Sequence, residues 1–222
     1  MGTDDLFHKR KARKASDLAR RKAHRAPYSK VLIVCEGEKT EPYYFKNLKD
    51  HYGLSSANVE ICGDCGSAPN SIFNYAKQRY REERDAGDPF DRVYCVFDKD
   101  THSTYQQTVE NISNTTPKST FFSITSVPCF EYWLLLHFNY TTKPYESLPN
   151  SSSGHQVLTE LKGYIHDYSK GDNDTFLLLL EQLDFAKNNA GRALQAAKNN
   201  HTDNPSTRVH ELVDFLQNIK NE

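Results

Sequence analysis

The stretch Lys30-Val31-Leu32-Ile33-Val34-Cys35-Glu36-Gly37-Glu38-Lys39-Thr40-Glu41 decides how the rest of the chain reads. Its apolar run, Val31 to Cys35, is too short for a helix and is bounded by charge, as a buried strand of a parallel sheet is. It stops at Glu36-Gly37. A carboxylate at the carboxyl end of a central parallel strand stands on the rim where α/β sheets place their chemistry. Gly37 permits a turn that bulkier residues resist. Thr40-Glu41-Pro42 then opens a helix with a cap, an acid and a proline in its first turn. Taken alone, an acidic strand end reads more simply as surface. A second acidic strand end, at Asp98 and Asp100, turns that preference toward a site.

Outward from this stretch, the pattern predicts a helix over 40–51, a short strand over 59–62 and a long polar helix from about Asn70 to Ala86. Gly87-Asp88-Pro89 breaks that helix, and Arg92 to Phe97 reads as another buried strand. It runs into Asp98-Lys99-Asp100-Thr101-His102. Alternate residues of an extended segment point the same way, so Asp98 and Asp100 project together. Two adjacent carboxylates repel unless a cation lies between them, and hard oxygen ligands with room for water and phosphate suit Mg²⁺. The structural alternative is that both aspartates cap the helix expected around Tyr105 to Ile112. Cys62-Gly63-Asp64-Cys65 is a lone C-x-x-C with no second pair at zinc spacing.

Composition sets the limits. The 222 residues are 37% hydrophobic and 26% charged, with five cysteines, and the mean hydropathy is −0.76. No run approaches the ~18 apolar residues of a membrane helix. The basic N-terminus has no apolar core, so it is not a secretory signal, and an odd number of mostly apolar-embedded thiols fits a reducing, cytoplasmic setting. Residues 1–30 hold ten Lys/Arg against three Asp; this balance of +7 leaves −8 for the remainder, given a net charge of −1. Residues 1–28 therefore read as a basic arm, disordered when free. Arg10, Lys11, Arg13, Lys14, Arg20 and Arg21, together with Lys39, are its candidate contacts to phosphate backbones. A basic tail also suits acidic proteins.

Glu36-Gly37 after the first strand and Asp98-x-Asp100 after a later one resemble the Toprim domain, over roughly residues 30–126. The resemblance implies Glu36 as general acid/base and Asp98 and Asp100 as holders of Mg²⁺ or Mn²⁺. Three further segments narrow the likeness: E-G-E-K-T-E-P-Y-Y-F from Glu36, V-P-C-F-E-Y-W-L-L-L-H-F from Val127, and N-P-S-T-R-V-H from Asn204. Together they resemble the RloB family over nearly the whole chain after the arm. That resemblance implies a nuclease in a prokaryotic anti-phage system, acting on DNA or on RNA such as tRNA. It also implies an ABC-type, RloA-like ATPase from the same locus as partner.

Glu131, flanked by Phe130 and Trp133, would be costly to bury unpaired. It either reaches the rim as a further metal ligand or pairs with a base such as Lys39. Glu38 and Glu41 are candidates beside a second metal, although Glu41 also suits a helix N-terminus on dipole grounds. The Thr/Ser/Pro/Asn-rich loop 139–154 is the best boundary. It separates a Toprim-like domain (29–140) from a helical C-terminal region (141–222), with helices expected over 155–168, 175–183, 185–199 and 206–220. The expected fold class is thus α/β, a mainly parallel sheet flanked by helices with a helical C-terminal region. Two other classes stay open. Asp98-Lys99-Asp100-Thr101 fits the D-x-D-x-T motif of HAD-like phosphatases, although two βα units precede it here. A non-catalytic regulatory partner of an ATPase would not need the carboxylates. Oligomeric state is open.

Overall fold

The computed structural model describes residues 11, 13, 15–19, 26–99 and 102–221. Five strands form one sheet: β1 (Val31–Cys35), β2 (Val59–Cys62), β3 (Arg92–Asp98), β4 (Phe121–Val127) and β5 (Ser206–Thr207), in the order β2-β1-β3-β4-β5. The first four run parallel and β5 is antiparallel to β4. All five residues of β1 are buried, as the apolar run requires of a strand covered on both faces.

Between the strands run α1 (Thr40–His51), α2 (Pro69–Asp85) and α3 (Tyr105–Asn114). After β4 come α4 (Glu131–Leu135), α5 (Ser153–Lys162), α6 (Thr175–Leu179), α7 (Leu183–Asn199) and α8 (Val209–Asn218). Strand alternation divides the core. Leu32 and Val34 face Ile72, Phe73 and Ala76 of α2, with Tyr105 and Ile112 of α3 in the same cluster. Val31, Ile33 and Cys35 face the larger cluster, which joins Tyr44, Phe45 and Leu48 of α1 to Trp133, Phe176, Leu212 and Leu216. The C-terminal helices share this core, so the loop after residue 139 separates two stretches of sequence around one apolar interior.

Order and register place the chemistry. The chain steps from β1 outward to β2, then returns to the other side of β1 with β3, so the strand order reverses between β1 and β3. That reversal opens a crevice at the carboxyl ends of the two strands. Glu36 continues β1, its N–H donating to Val96 O of β3 at 3.0 Å, and Asp98 ends β3.

Four local expectations differ from the structure. Ser206-Thr207, expected to begin a helix, instead forms β5, and α8 starts at Val209. The Thr207 and Ser126 hydroxyls lie 3.0 Å apart in the buried ladder, a tertiary pairing that overrides local helix signals. The helix expected over 155–168 ends at Lys162, capped by Gly163. The one expected over 175–183 tightens into a 3₁₀ turn at Leu180–Gln182. Within the arm, expected without regular structure, residues 15–19 are helical. A run with Ala15, Leu18 and Ala19 suits that conformation.

Candidate functional site

Glu36 and Asp98 meet at the crevice. The Asp98 backbone N–H donates to Glu36 Oε2 at 2.9 Å, and the Phe130 N–H donates to Asp98 Oδ2 at 3.1 Å. Backbone donors thus orient both carboxylates. They line a cleft of about 650 Å³ together with Glu41, Lys99 and Lys170. Its further wall is Ser147, Pro128, Cys129 and the start of α5, from Ser152 to His155 and Leu158. Ser152 caps that helix, accepting the His155 N–H at 3.2 Å.

The Glu36-Gly37 turn is held by close approach. A Cβ on Gly37 would lie 2.2 Å from Glu41 Oε2. One on Gly63 would lie 2.8 Å from Gly37 O and 2.8 Å from Pro42 Cγ. The C-x-x-C turn is therefore packing material under the acidic loop, and Cys62 and Cys65 are free thiols. Burial, reinforced by Glu60, raises the Cys62 thiol above its ordinary range.

From the other side a turn at Gly171, whose φ is +81°, docks on the same loop. Its N–H donates to Thr40 Oγ1 at 3.0 Å. This turn carries Lys170, whose Nζ lies 2.9 Å from Glu131 Oε1. Glu131 is 2% exposed. Its partner is thus Lys170, not Lys39, which is exposed beside Gly171. Burial by itself would lower the Lys170 ammonium, but the Glu131 carboxylate outweighs it and the net shift is upward.

The carboxylates are electrostatically crowded. Burial first, then the charges of Glu41, Glu131 and Glu36, push Asp98 well above the carboxylate range, against the pull of the Phe130 N–H. Glu41 is pushed up to about 7 by burial, with Glu131 and Glu36 adding to it. Among the described residues no three His, Cys, Asp or Glu converge as ligands of one ion. The donor chemistry nevertheless fits a hard divalent cation. Mg²⁺ is commonly held by one or two carboxylates plus water and phosphate, and these oxygens repel one another without a countercharge.

Of the residues singled out from sequence, Glu36 and Asp98 come together and Glu131 lies close enough to perturb Asp98. Glu38 and Lys39 are exposed and do not line the cleft. Asp100, Arg10, Lys14, Arg20 and Arg21 lie outside the described residues, while Lys11 and Arg13 are exposed in the arm. Of the two glutamates expected beside a second metal, Glu38 does not line the cleft and Glu41 does. Its signal was in the sequence: Glu41 shares an i, i+3, i+4, i+7 stripe with Tyr44, Phe45 and Leu48, all buried.

A family model described as RloB-like protein matches residues 31–216. The chain belongs to the RloB-like family. The match begins with the first residue of β1 and ends within α8, so it includes both acidic strand ends and the Lys170 turn of this RloB-like chain. Neither a curated protein nor a solved structure matches it.

Proposed function

We propose that this RloB-like protein is a Toprim-type nuclease that hydrolyses phosphodiester bonds of DNA or RNA with Mg²⁺ or Mn²⁺. In this reading it serves a prokaryotic anti-phage system with an ABC-type ATPase. One observation carries the reading. Glu36 and Asp98, from strands adjacent in space and 62 positions apart in sequence, are tied together at the switch point of a parallel sheet. The family resemblance adds the partner and the biological setting.

Asp98 and, by motif match, Asp100 would hold the cation, with Glu36 or Glu41 beside them. When bound, the cation stabilises negative charge building on the phosphate oxygens. Glu36, oriented by the Asp98 N–H, takes or gives the proton of the attacking or leaving oxygen. Glu41, held near neutrality at about 7, is a second group able to carry a proton at cellular pH. Lys170 holds Glu131 and, with Lys99, sets positive charge beside the three acids of the cleft.

The test is incubation of plasmid, single-stranded DNA and tRNA with Mg²⁺ or Mn²⁺, with and without the ATPase. Wild type is compared with Glu36→Gln and Asp98→Asn, and para-nitrophenyl phosphate serves as control. Metal-dependent cutting lost in both variants supports the nuclease. Phosphate release from the small ester that needs Asp98 but not Glu36 would replace it with a phosphatase.

A further inference from the structure

A second cavity, of about 380 Å³, lies at the opposite end of the sheet, where α2 and α3 deliver the chain to the starts of β3 and β4. Lys77, Arg81 and Arg84 of α2 form one wall, and Asn114 at the end of α3 with Thr115 and Thr116 after it form the other. Steps of four and three residues put the three cations on one helical face. Two of the three acids of α2 are turned elsewhere, and the third, Asp85, pairs with Arg84. Glu82 and Glu83 lie 2.7 and 3.5 Å from Arg79, and Glu83 also holds buried Lys30. Lys77 Nζ stands 4.4 Å over the Phe73 ring, and the Arg84 pair with Asp85 is on the surface. No carboxylate lines the cavity.

The helical segment at residues 15–19 lies at the same end of α2. Gly87, three positions past Arg84, abuts the helical arm segment: a Cβ there would lie 3.6 Å from Leu18 Cδ2. Lys11 and Arg13, on the same segment, are exposed. The body from residue 31 onward carries a balance of −8 and repels polyanions in general. This corner is a local exception, a groove lined by three cations and no carboxylate.

We propose that the α2–α3 groove forms a second phosphodiester-binding surface, a tether that holds nucleic acid away from the carboxylate cleft. The proposal rests on the nuclease reading only for the identity of its ligand. The 17 residues of α2 separate the two ends of the sheet, about 25 Å at 1.5 Å per residue. A duplex must therefore exceed roughly 7 base pairs, at 3.4 Å each, to touch both places.

The experiment is fluorescence anisotropy of a labelled DNA duplex and an RNA hairpin, each of roughly 30 base pairs, over a salt series. EDTA is present so that nothing is cut. Arg81→Glu/Arg84→Glu is compared with wild type and with Arg81→Lys/Arg84→Lys, all checked for unchanged melting temperature. Lys77→Gln serves as a milder second variant. The tether predicts at least tenfold weaker binding for the charge reversal, a log–log salt slope smaller by about two, and near-wild-type behaviour for the lysine pair. Loss confined to the duplex or to the hairpin names the ligand. Unchanged affinity and slope in the reversed variant overturns the tether and leaves the cleft untouched. Wild type binding neither ligand also overturns it, and the cleavage assay then decides the nuclease reading separately.

Discussion

The Asp98 backbone N–H reaches Glu36 Oε2 at 2.9 Å, so the residue ending one strand orients the acid that continues its neighbour. Parallel register makes this possible: Cys35 pairs with Val96, which brings the next residues of both strands to the same rim. Around them Glu41 and Glu131 add charge that burial leaves poorly screened.

That crowding makes stability depend on pH and, on the proposed reading, on divalent cations as well. The Glu41 carboxyl holds its proton up to about 7 in the fold, against 4.5 for the ordinary group. Between those values the folded state binds the extra proton, so stability falls as pH rises through the window and stays lower above it. A cation held by these carboxylates would replace that proton. Thermal unfolding near pH 8 with millimolar Mg²⁺ or Mn²⁺ is expected to shift upward by several degrees, with little shift near pH 5. Equal shifts at both pH values would mean binding elsewhere.

Lys170 and Glu131 form an ion pair with one buried and one largely exposed member, side chains 2% and 62% exposed. Replacing Lys170 by Met leaves a buried carboxylate unpaired and is expected to cost about 1–3 kcal/mol. Adding Glu131→Gln to that variant restores most of the loss. The single tryptophan, Trp133, is fully buried two residues from Glu131, so its emission during denaturation reads both effects. Strictly additive losses would mean the pair does not act as one.

Gly63 is constrained by space. An alanine there sets its Cβ against Gly37 O and Pro42, and 3.2 Å from the Glu38 Cα, so the Glu36 turn must move. The expected outcome for Gly63→Ala is a stability loss of about 1–3 kcal/mol together with a weakened cation-induced thermal shift. Loss of stability with the cation response intact would detach the turn from the site.

Much of this was legible in the sequence because the signals were local. The run Val31 to Cys35 could only be a buried strand, and α1 occupies residues 40–51 as its proline and apolar stripe require. Thr40, expected as its cap, is instead the first helical residue and accepts from Gly171, while Lys39 at the cap position makes no side-chain capping bond. Asp98 stood out because it closes a second such run. β5 was not legible, since two residues become a strand only because β4 offers them its edge. Lys170 was no clearer, because a lysine before glycine in a polar loop carries no local sign of a partner 39 positions earlier. Glu38 and Glu41 show the limit in one place: the turn at Gly37 exposes the first, and the helical stripe buries the second.

The most direct measurement is single-turnover cleavage of an end-labelled nucleic acid with Mn²⁺, using wild type, Glu36→Gln and Asp98→Asn in the presence of the ATPase. A cation-dependent rate in wild type that falls at least ~100-fold in each variant, with folding unchanged, is the expected result. Cleavage that persists in both variants, or that ignores the cation, would contradict a phosphodiesterase centre at Glu36 and Asp98.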